Sequence, residues 1–179
     1  VKVSLANEFY QICEKLNSTN CDNATVTITV NPPVIEANDD LAGNINGLVG
    51  ATDVINAITN DNLNGLPMQL TEVNLTELAP ATPIGGGPVP VLNTLTGSVS
   101  VPVNTPEGSY EIQYQVCEKR NPTNCDDAFI TINVIAAKII ANDDLATNVD
   151  GFVGATNVLN ALDNDKLNGN SAQLSEVTM

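Results

Sequence analysis

Between Ser109 and Val134, apolar and polar residues alternate in two runs. Tyr110, Ile112, Tyr114 and Val116 share one face of the first run, and Glu111, Gln113, Gln115 and Cys117 take the other. In the second run Ile130, Ile132 and Val134 face one way, and Phe129, Thr131 and Asn133 the other. A period of two is that of a half-buried β-strand. The intervening EKRNPTN is rich in turn formers, so the pair predicts a hairpin. Further strands are predicted near Ile35–Ala37, Leu48–Ile58, Leu70–Leu75, Val89–Leu92 and Gly97–Val103, separated by turns such as TPIGGGPVP and NTPEGS. GATDVINAITND fits either a strand or a helical turn. Tyr110 follows a Gly-Ser turn at the start of the penultimate strand, which suits a tyrosine corner or an ordinary core tyrosine. About seven short strands in about 100 residues predict an all-β fold, an antiparallel β-sandwich of immunoglobulin-like type.

The pattern repeats. YQICEKLNSTNCDNATVTITV from Tyr10 recurs from Tyr114 as YQVCEKRNPTNCDDAFITINV. ANDDLAGNINGLVGATDVINAITNDNLNG from Ala37 recurs from Ala141 as ANDDLATNVDGFVGATNVLNALDNDKLNG. The offset is 104 residues without a gap, and about 39 of 66 overlapping positions are identical. That period is one domain per repeat rather than one turn of a solenoid. The expected division is therefore 1–31 as the C-terminal part of one repeat, 32–135 as a complete repeat, and 136–179 as the N-terminal part of the next. Before Tyr10 the similarity fails. Units are joined by about four residues, Asn31-Pro32-Pro33-Val34 in one copy and Ile135-Ala136-Ala137-Lys138 in the other. Pro-Pro is stiff and extended, which favours end-to-end stacking.

Cys117 and Cys125 lie on opposite arms of the predicted hairpin, with the same outward parity, and Cys13 and Cys21 repeat the spacing. A disulfide across each hairpin mouth is expected, closing a loop of about 9 residues worth roughly 2–3 kcal/mol in the chain-entropy model. A metal reading would need two further ligands, and neither a His nor a CxxC is present. Structural disulfides predict an oxidising compartment, hence an extracellular protein.

The chain has 179 residues with 21 Asp and Glu against 6 Lys and Arg, a formal charge of −15. Six scattered cations build no basic patch, so nucleic-acid binding by phosphate neutralisation is excluded and docking on anionic membranes is not expected. The absence of His excludes His-based acid–base chemistry, Ser–His–Asp sites and His-ligated zinc. No apolar run approaches the length of a membrane span, so no membrane insertion is expected. An export signal, if there is one, lies outside these residues. No carboxylate pair sits in an aromatic cleft, and the chain is not expected to be an enzyme.

The acidic clusters are what remains. Asp39 and Asp40 recur as Asp143 and Asp144, and Asp61 recurs as Asp165. One reading is Ca²⁺ bound near the junction by hard oxygen ligands, which would lock neighbouring units straight. The other is Asx turns and caps, in which Asn and Asp bond their own backbone. Lys166 in place of Asn62 argues against a ligand at that position.

Taken together, ANDD…NDxLNG followed by YQVCEKRNPTNCDDAFITINV resembles the Ig-like repeats of very large surface adhesins of Bacteroidota, flavobacteria in particular, often associated with gliding motility and type IX secretion. The resemblance covers nearly all of the chain beyond residue 9. It implies a cell-surface, filamentous protein in which most repeats are stalk, and it supplies no ligand residues. The function expected is a structural stalk that holds a distal binding region away from the cell, its partners being neighbouring repeats. The alternatives are a repeat that itself binds a glycan, surface or partner protein, and a fibre subunit in which one chain completes another's sandwich by strand donation. Leu16 against Arg120 and Thr25 against Phe129 differ at outward positions, which favours the stalk.

Overall fold

The computed structural model describes residues 4–179; residues 1–3 of the leading 1–31 segment lie outside the described residues. Every regular element among them is a β-strand. β1 (Ser4–Cys13) and β2 (Cys21–Val30) form a hairpin. They are followed by β3 (Ile35–Glu36), β4 (Asp40–Asn46) and β5 (Ala51–Asn56). Next come the short pair β6 (Asn62–Leu63) and β7 (Leu66–Pro67), then β8 (Val73–Ala79), β9 (Val91–Leu92) and β10 (Ser98–Val101). β11 (Gly108–Glu118) and β12 (Cys125–Ile135) repeat the hairpin. β13 (Ile139–Ile140), β14 (Lys166–Leu167) and β15 (Asn170–Ser171) come last.

Residues 35–135 build a two-layered sandwich. One sheet has the order β4-β12-β11-β8; the other layer contains β5-β10-β9, with the small sheet β3-β6-β7 at its side. The inward faces of the two long strands supply the centre of the core. Tyr110, Ile112, Tyr114, Val116, Ala128, Ile130, Ile132 and Val134 are buried, and Val73, Leu75, Leu92, Val99 and Val101 meet them from the neighbouring strands. The alternation that predicted the hairpin is thus the alternation of core and surface. β11 and β12 pair without a register shift from Gly108↔Val134 to Cys117↔Cys125.

In GATDVINAITND the strand reading holds, as β5 followed by a turn, because β5 pairs with β10. Three features depart from the sequence expectation. The strand expected at Leu70–Leu75 is Val73–Ala79, pulled into register by β11. The sandwich is not purely antiparallel, because β4 runs parallel to β12, from Ile130↔Asp40 to Ile135↔Asn46. DLAGNIN has turn-like composition and is a strand only because the edge of β12 pairs with it. The β6–β7 hairpin was likewise not expected. Its turn, Asn64-Gly65, has φ of 54° and 75°, the left-handed pair a two-residue I′ turn demands. Tyr110 makes the tyrosine corner: its hydroxyl donates to the Pro106 carbonyl four residues upstream at 2.8 Å.

Candidate functional site

The chemistry-bearing side chains of 32–135 gather where the chain enters the sandwich. The tip of the β11–β12 hairpin supplies one wall. Cys117 and Cys125 are disulfide-bonded, as are Cys13 and Cys21. Just beyond the bridge, the Asn124 side-chain amide donates to the Glu118 carboxylate at 3.3 Å and to the Pro33 carbonyl at 2.9 Å. The backbone N–H of Lys119 donates to the Glu72 carbonyl at 2.8 Å. The cysteine-bounded motif therefore braces the linker that leads into its own unit, a role its sequence did not reveal.

Three carboxylates then fasten the segment Ala37–Asp39. Asp126 Oδ2 accepts from the Ala37 N–H at 2.9 Å, and Asp61 Oδ1 accepts from the Asn38 N–H at 2.7 Å. Asp39 Oδ1 accepts in turn from the Phe129 N–H of β12 at 2.9 Å. Asn38 and Asn60 exchange side-chain-to-backbone bonds: Asn38 donates to the Asn60 carbonyl at 2.9 Å, and Asn60 to the Asp39 carbonyl at 3.0 Å. Asp39 and Asp61 thus hold backbone amides 90 and 23 residues away, not the amides two residues on that a local Asx turn would use.

Beneath this clasp lies Tyr114, fully buried on the inward face of β11. Its hydroxyl lies 2.8 Å from the Ala57 carbonyl, 3.1 Å from the Asn38 carbonyl, and 3.2 and 3.1 Å from Asp61 Oδ1 and Oδ2. Asp40 faces the same hydroxyl and is 7% exposed, and its Oδ2 has no hydrogen-bond partner. Burial, then the neighbouring Asp61 charge, push the Asp40 carboxyl up to about 7, against the Tyr114 hydroxyl, which favours its ionised form. Burial likewise raises Asp61 to about 6, against the Asn38 N–H and the Tyr114 hydroxyl. Tyr114 itself is driven upward by burial and by both carboxylates. An inward tyrosine must find an acceptor for its hydroxyl, and that was the available signal that Tyr114 is the hub of this site rather than plain core.

Of the six aspartates singled out from sequence, the structure brings Asp40 and Asp61 together around Tyr114. It places Asp39 on the β12 backbone. Asp143 and Asp144 are exposed, and Asp165 is half-buried and accepts from the Asn142 N–H at 2.7 Å. Among the described residues no three Asp, Glu, His or Cys side chains are grouped to hold a metal. The oxygens around Tyr114 come from two carboxylates, the phenol and two main-chain carbonyls. Phe129, the outward aromatic, is 37% exposed on the hairpin. No helix among the described residues is long and apolar enough to cross a membrane.

No protein-family model matches the chain, and no curated protein does. Among solved structures it is similar to extracellular cadherin domains 1–4 of protocadherin gamma B7, with a TM-score of 0.43 and 11% identity over 83% of this chain. It spans 46% of that structure's chain. It is similar also to the third cadherin domain of human protocadherin 7, with a TM-score of 0.42 and 13% identity over 59% of this chain and 87% of that one. Likenesses of this size carry no information about function.

Proposed function

We propose that the chain is a section of the stalk of a bacterial cell-surface adhesin of the Bacteroidota type, built from sandwiches of about 104 residues in series and holding a distal binding region away from the cell. The observation that carries this reading is the parallel β4–β12 pair. Force applied at the two ends of the unit draws the start of β4 and the end of β12 in opposite directions along their shared ladder. The hydrogen bonds of a parallel pair loaded this way shear together instead of opening one at a time. A strand pair so placed suits a module whose task is to bear tension.

Three further features support it. β12 ends at Ile135 and β13 begins at Ile139, so little free chain lies between neighbouring units. Across that junction the Asn46 side-chain amide donates to Asn168 Oδ1 at 2.8 Å. The disulfide at the mouth of each hairpin fits an oxidising, extracellular setting. A charge of −10 on 32–135, from 12 acids and 2 bases, keeps parallel stalks apart.

Single-molecule pulling of the chain by its ends tests the proposal. The expected record has a discrete unfolding peak for 32–135 with a contour gain of roughly 300 Å, lengthened by roughly 30 Å on reduction of the hairpin bridge. Extension with no resolved peak, as from strands that unzip in turn, contradicts it.

A further inference from the structure

We propose that the oxygen cage around the Tyr114 hydroxyl is a divalent-cation site, with Ca²⁺ the ion its chemistry suits, held between the carboxylates of Asp40 and Asp61. The argument begins with a count of donors and acceptors. Tyr114 has one hydroxyl proton, and four acceptor oxygens lie within 3.2 Å of it, two from Asp61 and one each from the Asn38 and Ala57 carbonyls. One proton satisfies one of them. Asp61 gains the Asn38 N–H and the Asn38 carbonyl gains the Asn60 side-chain amide, but Asp40 Oδ2 has no partner, although its residue is more than nine-tenths buried. It is the one buried side-chain oxygen or nitrogen among the described residues left without a hydrogen bond.

A buried carboxylate oxygen in that condition costs stability unless a proton or a cation reaches it. The surroundings favour a cation. Every candidate ligand is oxygen, two are carboxylates, and two are main-chain carbonyls, the donor set of Ca²⁺ rather than of a metal that prefers nitrogen or sulfur. Mg²⁺ requires a strict octahedron and gives up its waters reluctantly, so an irregular, buried cage suits it less. The neighbouring acids Asp39 and Asp126 are not part of the site, since their oxygens already hold the Phe129 and Ala37 amides. The cage lies where the linker enters the sandwich and draws on β4, β11 and the Asn60–Asp61 loop. An ion there would tie the start of the unit to its last hairpin.

Terbium luminescence and thermal melting of the 1–179 chain test the site together. Tb³⁺ stands in for Ca²⁺ and is sensitised by a tyrosine beside it, so excitation of tyrosine should give Tb³⁺ emission that Ca²⁺ displaces. The emission should be lost in Tyr114→Phe and in Asp40→Asn, and retained in Tyr10→Phe and Asp144→Asn. Millimolar Ca²⁺ should raise the melting temperature of the wild type by several degrees over chelator and leave Asp40→Asn unchanged. Asp40→Asn keeps the side-chain shape and removes a charge, so it folds whether or not the site exists. The proposal is overturned if the wild type shows neither sensitised emission nor a Ca²⁺-dependent shift. It is overturned equally if Ca²⁺ raises the melting temperature of Asp40→Asn as much as that of the wild type, because the ion would then act elsewhere.

Discussion

Residues 37–65 and 141–169 share 20 of 29 positions, yet they fold to different extents. In the first, β4 lies on β12 and β5 on β10. In the second, the counterparts of β4 and β5, residues 144–150 and 155–160, are not strands. What the two share is local. The left-handed positions coincide: Asn44 and Asn148 both have φ of 60°, Asp53 and Asn157 have 52° and 53°, and Gly50 and Gly154 have 65° and 70°. The three-stranded sheet β3-β6-β7 recurs as β13-β14-β15, and the Asn38–Asp61 amide bond recurs at the same 2.7 Å between Asn142 and Asp165. What differs is that β11–β12 follows the first segment within residues 1–179, whereas the counterpart of that hairpin, 104 residues on, lies beyond residue 179. Where β11–β12 covers the segment, Asp40 is buried against Tyr114; its counterpart Asp144 is exposed. Local backbone geometry is thus written within each segment, whereas the pairing that makes β4 and β5 strands comes from partners far away in sequence. The earlier hairpin mirrors this. β1–β2 keeps the same ten-pair register with its apolar face exposed, Ile28 at 52% and Tyr10 at 50%.

The sharpest way to break the comparison is to put one charge on each hairpin at the same register. Ile132→Asp buries an unpaired carboxylate between β12 and the core and should cost more than about 4 kcal/mol, unfolding 35–135 as a unit. Ile28→Asp, on the exposed face of β2, should stay within about 0.5 kcal/mol. Denaturant melts of the two variants decide, and equal losses would mean that β1–β2 is covered in solution. A smaller effect is expected from the tyrosines. Tyr114→Phe removes the one donor from the acceptor cage and should cost about 1–3 kcal/mol, while Tyr10→Phe should be neutral.

A further effect is that of pH, measured with chelator present. Asp40 and Asp61 titrate as a pair inside a setting that also holds Tyr114 and faces Asp39 and Asp126. Both are raised in the folded chain, to about 7 and about 6, so the native state binds more protons than the unfolded one across that window. Stability should therefore be greatest near pH 4, fall as pH rises toward about 7, and level off above it. Asp40→Asn should flatten most of that slope. A melting temperature that instead climbs between pH 5 and 7 would show that these carboxyls are not strained by burial. By the same comparison Asp144→Asn should leave the profile unaltered.

The comparison also explains what could be read in advance. The hairpin was legible because its alternation, turn residues and cysteine parity are local and agree with one another. The Gly-Ser turn before Tyr110 allowed a tyrosine corner or an ordinary core tyrosine, and the bond to the Pro106 carbonyl decides for the corner. β4 was not legible. DLAGNIN carries Gly and two Asn, and nothing within it announces that β12 will lie beside it in parallel. The clasp was half legible. Asp39, Asp40 and Asp61 stood out as acids in recurring motifs, but the difference between a carboxylate that caps an amide and one left bare in the core is set by Phe129, Asn38 and Tyr114, which pattern alone does not bring together.

Amide hydrogen exchange on residues 1–179 alone reads the central claim most directly, residue by residue. If the last hairpin of a unit is what makes its first long strand, then amides of β4 that bond to β12 should be protected nearly as well as those of β11. The corresponding amides in 144–150 should exchange at close to the rate of an unfolded peptide. Equal protection in the two segments, or none in β4, would contradict it.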